Sequence, residues 1–108
     1  MESFKNNKRK YGLKEVDLES FVSILKSNQR IKKAWLFGSR AKGNNDPGSD
    51  IDIAIKGTSL DLDDILVAKM KFENLMLPYK LDVVIYDRIR DEDLKNHIDR
   101  VGVVLFER

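Results

Sequence analysis

The sequence predicts a single α/β domain in which about four strands form a sheet with helices packed on it. Three observations carry this expectation. Apolar stripes at helical spacing alternate along the chain with short segments of strand length. One of these segments, Asp50–Ile55, alternates strictly between aspartate or alanine and isoleucine, the period-two signature of a strand. No repeat or linker divides the 108 residues, a length that suits one core.

The elements follow in order. Residues 1–13 read as a flexible N-terminal segment, and 14–108 as the folded domain. The early basic cluster, Lys5, Lys8, Arg9, Lys10 and Lys14, reads as a solvated terminus. Contact with an acidic partner is its sharper reading. A helix is expected over Lys14–Ser27, because Leu18, Phe21, Val22 and Leu25 form one apolar stripe. The first strand, Ala34–Phe37, lacks alternation, as expected when both faces are covered. Gly38–Ser49 is loop-like, with a short helical turn at Arg40–Lys42. In the strand Asp50–Ile55, Asp50, Asp52 and Ala54 share one face and Ile51, Ile53 and Ile55 the other, and Gly57 ends it.

A second helix is expected over Leu60–Leu77, capped by Ser59, with Asp61, Asp63 and Asp64 at the positive end of its dipole. Its buried stripe is Ile65, Ala68, Phe72, Leu75 and Met76, and Pro78 stops it. In the third strand, Lys80–Tyr86, Asp82, Val84 and Tyr86 oppose Leu81, Val83 and Ile85. A short helix, Asp91–Arg100, packs through Leu94 and Ile98, and a last strand, Val103–Phe106, follows Gly102. Trp35 reads as core, and His97, the single histidine, as a surface or helix-dipole contact.

Composition narrows the function classes. The 20 basic and 18 acidic residues leave a net charge of +2, too balanced for general nucleic-acid binding. The absence of cysteine excludes disulfides, thiolate metal sites and cysteine nucleophiles and is compatible with a reducing cytoplasm, where we expect the protein. No long apolar run suggests a membrane span, and MESFKNNKRKYG lacks the apolar stretch of a secretory signal.

The chemistry concentrates in WLFGSRAKGNNDPGSDIDIA, Trp35–Ala54. Asp50 and Asp52, two apart on a strand, project from one face with Cα atoms roughly 6–7 Å apart. Such carboxylates repel unless a cation lies between them, and hard oxygen donors suit Mg²⁺ or Mn²⁺. Asp82 occupies an equivalent place on another strand and would join them if the strands are neighbours. Gly38 permits close approach of backbone N–H groups to a phosphate, Ser39 adds a hydroxyl, and Arg40 and Lys42 add positive charge for a triphosphate. Taken singly, each aspartate reads as a solvent-facing strand residue, Ser39 as a helix cap, and Arg40 and Lys42 as solvated charges. A P-loop is rejected because Asn44 and Asn45 follow Gly43 where Lys and Ser/Thr are needed. A dinucleotide fingerprint fails because Gly38, Gly43 and Gly48 are each five apart.

The set Gly38-Ser39, ten intervening residues, Asp50-Ile51-Asp52 and a later strand aspartate, Asp82, resembles the signature of the DNA polymerase β nucleotidyltransferase superfamily. The fuller string GSRAKG…SDIDIAI…LDVVIYD is similar to its minimal nucleotidyltransferase (MNT) branch. The resemblance implies a nucleotidyltransferase fold on a mixed sheet. Asp50, Asp52 and Asp82 would hold two Mg²⁺ ions, with Mn²⁺ as an alternative, and Asp82 would take the proton of the attacking hydroxyl. Gly38 and Ser39 would hold the phosphates of ATP.

The same resemblance implies a HEPN-domain toxin as partner, with AMP transferred from ATP to a hydroxyl of that protein. Two alternatives stand beside it: a non-catalytic antitoxin that covers its partner, and transfer to a small molecule or nucleic-acid 3′ end with the acceptor domain supplied by a partner. A homo-oligomer is compatible with the sequence, and no membrane association is expected.

Overall fold

The computed structural model describes residues 9–46 and 48–108. Lys5, Lys8 and Pro47 therefore lie outside the described residues. Residues 1–8 of the expected flexible segment lie outside the described residues, and its remainder, from Arg9, belongs to a small hairpin. Strand β1 (Arg9–Lys10) pairs antiparallel with β2 (Leu13–Lys14). Tyr11 and Gly12 turn the chain at φ 58° and 76°, the pair of positive angles that a tight hairpin requires. Leu13 is fully buried, so the hairpin is anchored in the core.

Helix α1 (Glu15–Lys26) buries Phe21 and Leu25. Strand β3 (Ile31–Phe37) begins three residues earlier than its pattern suggests, because Lys32, at a shift in register, and Lys33, in the ladder, add no apolar signal. Helix α2 (Gly38–Lys42) follows directly and closes on Gly43 at φ 83°. Strand β4 (Ile51–Gly57) starts one residue after Asp50.

Helix α3 (Leu62–Glu73) is shorter than expected at both ends. Its cap is Asp61, whose side chain accepts from the Asp63 N–H at 3.0 Å, while the Asp61 N–H donates to Asp64 at 2.8 Å. That reciprocal box replaces the predicted Ser59 cap. Met76 was expected in the buried stripe, but it lies beyond the helix at φ 55° and is 89% exposed. Strand β5 (Leu81–Ile85) leads through a 3₁₀ turn (Tyr86–Arg88) to helix α4 (Glu92–Val101), capped by Asp91, and strand β6 (Val103–Glu107) ends the fold.

The main sheet has the order β5-β4-β3-β6. The β3–β4 and β3–β6 pairs are antiparallel and the β4–β5 pair is parallel, so the sheet is mixed as expected. The two strands of the parallel pair are joined through α3, the crossover such a pair needs. Ala34, Leu36, Ile51, Ile53 and Ile55 meet α1 and α3 on one face. There Phe21 and Phe72 touch edge to face, with ring centres 6.2 Å apart. Phe37 and Ala54 meet Ile98 of α4 on the other face, with Trp35, Val84 and Leu94 packed around them. Among the described residues, no helix is long and apolar enough to cross a membrane.

Candidate active site

Strand alternation places the acidic residues. Burying Ile51, Ile53 and Ile55 against α1 and α3 turns Asp52 and Ala54 toward the α4 face. Asp52 lies opposite Phe37 on β3 and directly beside Asp82 on parallel β5. Neighbouring strands run about 4.8 Å apart, so two carboxylates in the same register on one face are close neighbours. Asp50 stands at the mouth of β4, exposed like Asp82, whereas Asp52 is half-buried.

Burial is the main cause that pushes the Asp52 carboxyl above its ordinary range. The negative charges of Asp82 and Asp50 push it further, and the Arg40 cation opposes them. A carboxylate partly shut from water beside two others is poorly compensated by the protein alone. Hard oxygen donors in this state fit a divalent cation such as Mg²⁺. Among the described residues, however, no three acidic, histidine or cysteine side chains form a ready-made metal cluster. The three aspartates are therefore gathered as interacting charges, not as a closed coordination sphere.

Gly38 lies under Asp52. Its φ is 77°, and a Cβ on it would collide with Oδ2 of Asp52. Both facts demand glycine. The Gly38 N–H donates to Nε2 of His97 at 3.0 Å, so this donor is already engaged from α4. Ser39, the next residue of α2, is half-exposed.

Two of the expected triphosphate contacts are placed differently from each other. Lys42 is exposed near the end of α2. Arg40 is turned inward and only 1% exposed. Its Nε and Nη2 donate to the Ser49 carbonyl at 3.1 and 2.8 Å, and its Nη1 donates to the Tyr11 carbonyl at 3.0 Å. The Tyr79 ring lies 5.2 Å from the guanidinium. The structure thus buries the Arg40 guanidinium against backbone carbonyls, whereas the expectation had it exposed toward a triphosphate. It joins the N-terminal hairpin, α2 and the residue before Asp50.

His97 is the residue that sequence reasoning undervalued. Its ring meets Phe37 edge-on at 6.0 Å, besides accepting from Gly38. A signal for it existed: Leu94, His97, Ile98 and Val101 share one stripe of α4 at helical spacing, so the histidine was placed to face the sheet.

Comparison with known proteins places this geometry. A Methanocaldococcus jannaschii protein named as a protein adenylyltransferase is 42% identical over 84 residues, covering 76% of this chain and 78% of that one. A crystal structure of a toxin–antitoxin pair with AMP-PNP superposes with a TM-score of 0.71 at 22% identity, covering 84% of this chain and 73% of that one. The MNT antitoxin in complex with a tri-AMPylated HEPN toxin from Shewanella oneidensis gives 0.66 at 20% identity, over 87% of this chain and 72% of that one. At these identities the structural likenesses speak to fold. Residues 19–108 match the family model for polymerase beta nucleotidyltransferases, and with the aspartate pair of β4 and β5 set above a glycine turn, the chain belongs to that family.

Proposed function

We propose that this chain is a protein adenylyltransferase that moves AMP from ATP to a hydroxyl of a HEPN-domain partner, as the antitoxin of a toxin–antitoxin pair. The observation that carries the reading is the register match of Asp52 with Asp82, directly above Gly38. The names of the relatives support the substrate and partner: an adenylyltransferase, an AMP-PNP complex and an AMPylated HEPN toxin.

In the proposed reaction the acceptor oxygen bonds to the α-phosphorus of ATP. The bond from that phosphorus to the bridging oxygen breaks, and pyrophosphate leaves. The Asp82 carboxylate takes the hydroxyl proton as the new bond forms. Ser39 offers its hydroxyl and N–H to the phosphates, and Gly38 keeps the floor under Asp52 free of a side chain. Asp50, Asp52 and Asp82 would hold Mg²⁺, which supplies positive charge to the reacting phosphates. Arg40 keeps the strand entry in place and helps hold Asp52 ionised. Lys42, exposed near the end of α2, would meet an outer phosphate.

The test uses ATP labelled on the α-phosphate, Mg²⁺ and the HEPN-domain protein. Label is expected on the partner, none from γ-labelled ATP, and none with Asp52→Ala. Equal transfer by Asp52→Ala would sink the reading. If the Asp50/Asp52 double variant neutralises the partner as well as the wild type does, simple covering replaces catalysis.

A further inference from the structure

We propose that His97 is a positioning residue for the Gly38–Ser39 turn, holding the Phe37–Gly38 peptide in one orientation through its neutral imidazole. The inference rests on the reading of that turn as part of a nucleotide site.

Three features of the structure lead to it. First, the Gly38 N–H belongs to the first residue of α2, a place where helical N–H groups have no partner inside the helix. His97 takes this one from α4, an element 59 positions away in sequence, at 3.0 Å. Second, the requirement for glycine creates a problem. The carboxylate of Asp52 leaves no space for a Cβ at Gly38, yet a glycine lets the adjoining peptide rotate with little steric penalty. Rotation of the Phe37–Gly38 peptide would swing the carbonyl of Phe37 to where the N–H now lies, setting an acceptor at the start of the turn next to the Ser39 donors. The hydrogen bond from Gly38 to His97 removes that freedom. Third, the imidazole is itself held, because its ring packs edge-on against Phe37, the residue on the other side of the same peptide.

The geometry also specifies the form of the ring. An Nε2 that accepts a hydrogen bond keeps its lone pair, so the proton of the neutral imidazole is on Nδ1. Packing alone would be served by phenylalanine or leucine at position 97. Only an acceptor at the Nε2 position can hold the amide. His97 is thus assigned no contact with the nucleotide; it determines which backbone donors face it, and Ser39 is the first of these.

The experiment compares the full-length wild type with His97→Phe, which keeps the ring, and His97→Gln, which can restore an acceptor near the Nε2 position. Binding of AMP-PNP with Mg²⁺ is measured by calorimetry, and the KM for ATP and kcat are measured with the HEPN-domain partner. His97→Phe is expected to weaken AMP-PNP binding and raise KM about tenfold or more, with a smaller change in kcat, the scale set by loss of a supporting contact. His97→Gln is expected to recover most of this. The imidazole ¹⁵N spectrum of the wild type should show the Nδ1–H tautomer. Binding by His97→Phe within twofold of the wild type, failure of His97→Gln to outperform it, or an Nε2–H tautomer would each overturn the inference while leaving the nucleotidyltransferase reading intact. If the wild type binds no AMP-PNP, both fall together. A variant that does not fold is recognised by its melting curve, and the tautomer measurement on the wild type then decides.

Discussion

Gly38 and Gly43 offer a matched pair for separating backbone strain from steric conflict at the site. They begin and end the same short helix, at φ 77° and 83°. An alanine at either position would have to adopt a left-handed conformation, at a cost of about 1–2 kcal/mol. Around Gly43 nothing lies within 4 Å of the added Cβ, so strain is the whole effect there. At Gly38 the Cβ meets the Asp52 carboxylate. Forcing a methyl group into an occupied space adds roughly 1–3 kcal/mol. Gly43→Ala should therefore cost about 1–2 kcal/mol and Gly38→Ala about 2–5 kcal/mol. For a domain of this size each kcal/mol lowers Tm by about 4–8 °C. The conflict has one escape, rotation of Asp52 away from Gly38. That would bring the stability of Gly38→Ala close to that of Gly43→Ala but move the carboxylate out of place. In either case Gly38→Ala loses AMP transfer, whereas Gly43→Ala retains it. Urea melts and α-labelled ATP assays on both variants check this, and Asp52→Ala combined with Gly38→Ala should remove the excess cost. Equal stability together with full transfer by Gly38→Ala would refute the reasoning.

Three further outcomes are expected. Asp52→Asn removes a carboxylate disfavoured by burial and by Asp82 and Asp50, so in EDTA it should melt higher than the wild type. Adding Mg²⁺ should then stabilise the wild type but not the variant, read by thermal melts. Arg40→Lys keeps the charge but cannot span the Ser49 and Tyr11 carbonyls, so it should lose about 2–4 kcal/mol in urea titrations. Asp64 is almost fully buried. Burial pushes its carboxyl up, but the Asp61 N–H, the Asn28 amide and the Arg30 guanidinium together hold it below its ordinary value of 3.8. The folded state thus binds this proton more weakly than the unfolded chain does. The stability it contributes is full above about pH 4 and is lost as pH falls through the lowered value. Asp64→Ala should cost about 2 kcal/mol at pH 7 and flatten that acidic slope, measured by denaturation from pH 2 to 7.

Sequence pattern served best where one local rule decided the outcome. Strand β4 was legible because its isoleucines alternate without a break, and its alternation alone told which face carries Asp52. Whether Asp82 would arrive beside Asp52 was not legible, because register between strands is a property of the assembled sheet. Arg40 shows the same limit from the other side. Next to Gly38-Ser39 in sequence, it looked like a phosphate ligand, yet its guanidinium donates to the carbonyls of residues 11 and 49, which the sequence does not place near it. The N-terminal hairpin escaped notice because strands of two residues show no period. The α3 cap was misread because Ser59 and Asp61 both suit the role, and the box closes through Asp64 where glutamate or glutamine is the usual partner. Met76 continued an apolar period past the end of its helix, and nothing in that period marks where the helical hydrogen bonds stop.

The site is also where the fold works against itself. Asp52 would be more comfortable as an asparagine, Gly38 gives up helix propensity for clearance, and a buried guanidinium must be fully satisfied to be tolerated. These three conflicts fall on one stretch, from Phe37 to Asp52, beside the apolar core that α1 and α3 build on the sheet. Arg40 connects the two demands. Its hydrogen bonds hold the loop entering β4, and its charge favours the ionised form of Asp52. The arginine beside the glycine-serine turn thus shapes the entry to the acidic strand and favours the charged form of Asp52, a part that its place in the sequence does not suggest.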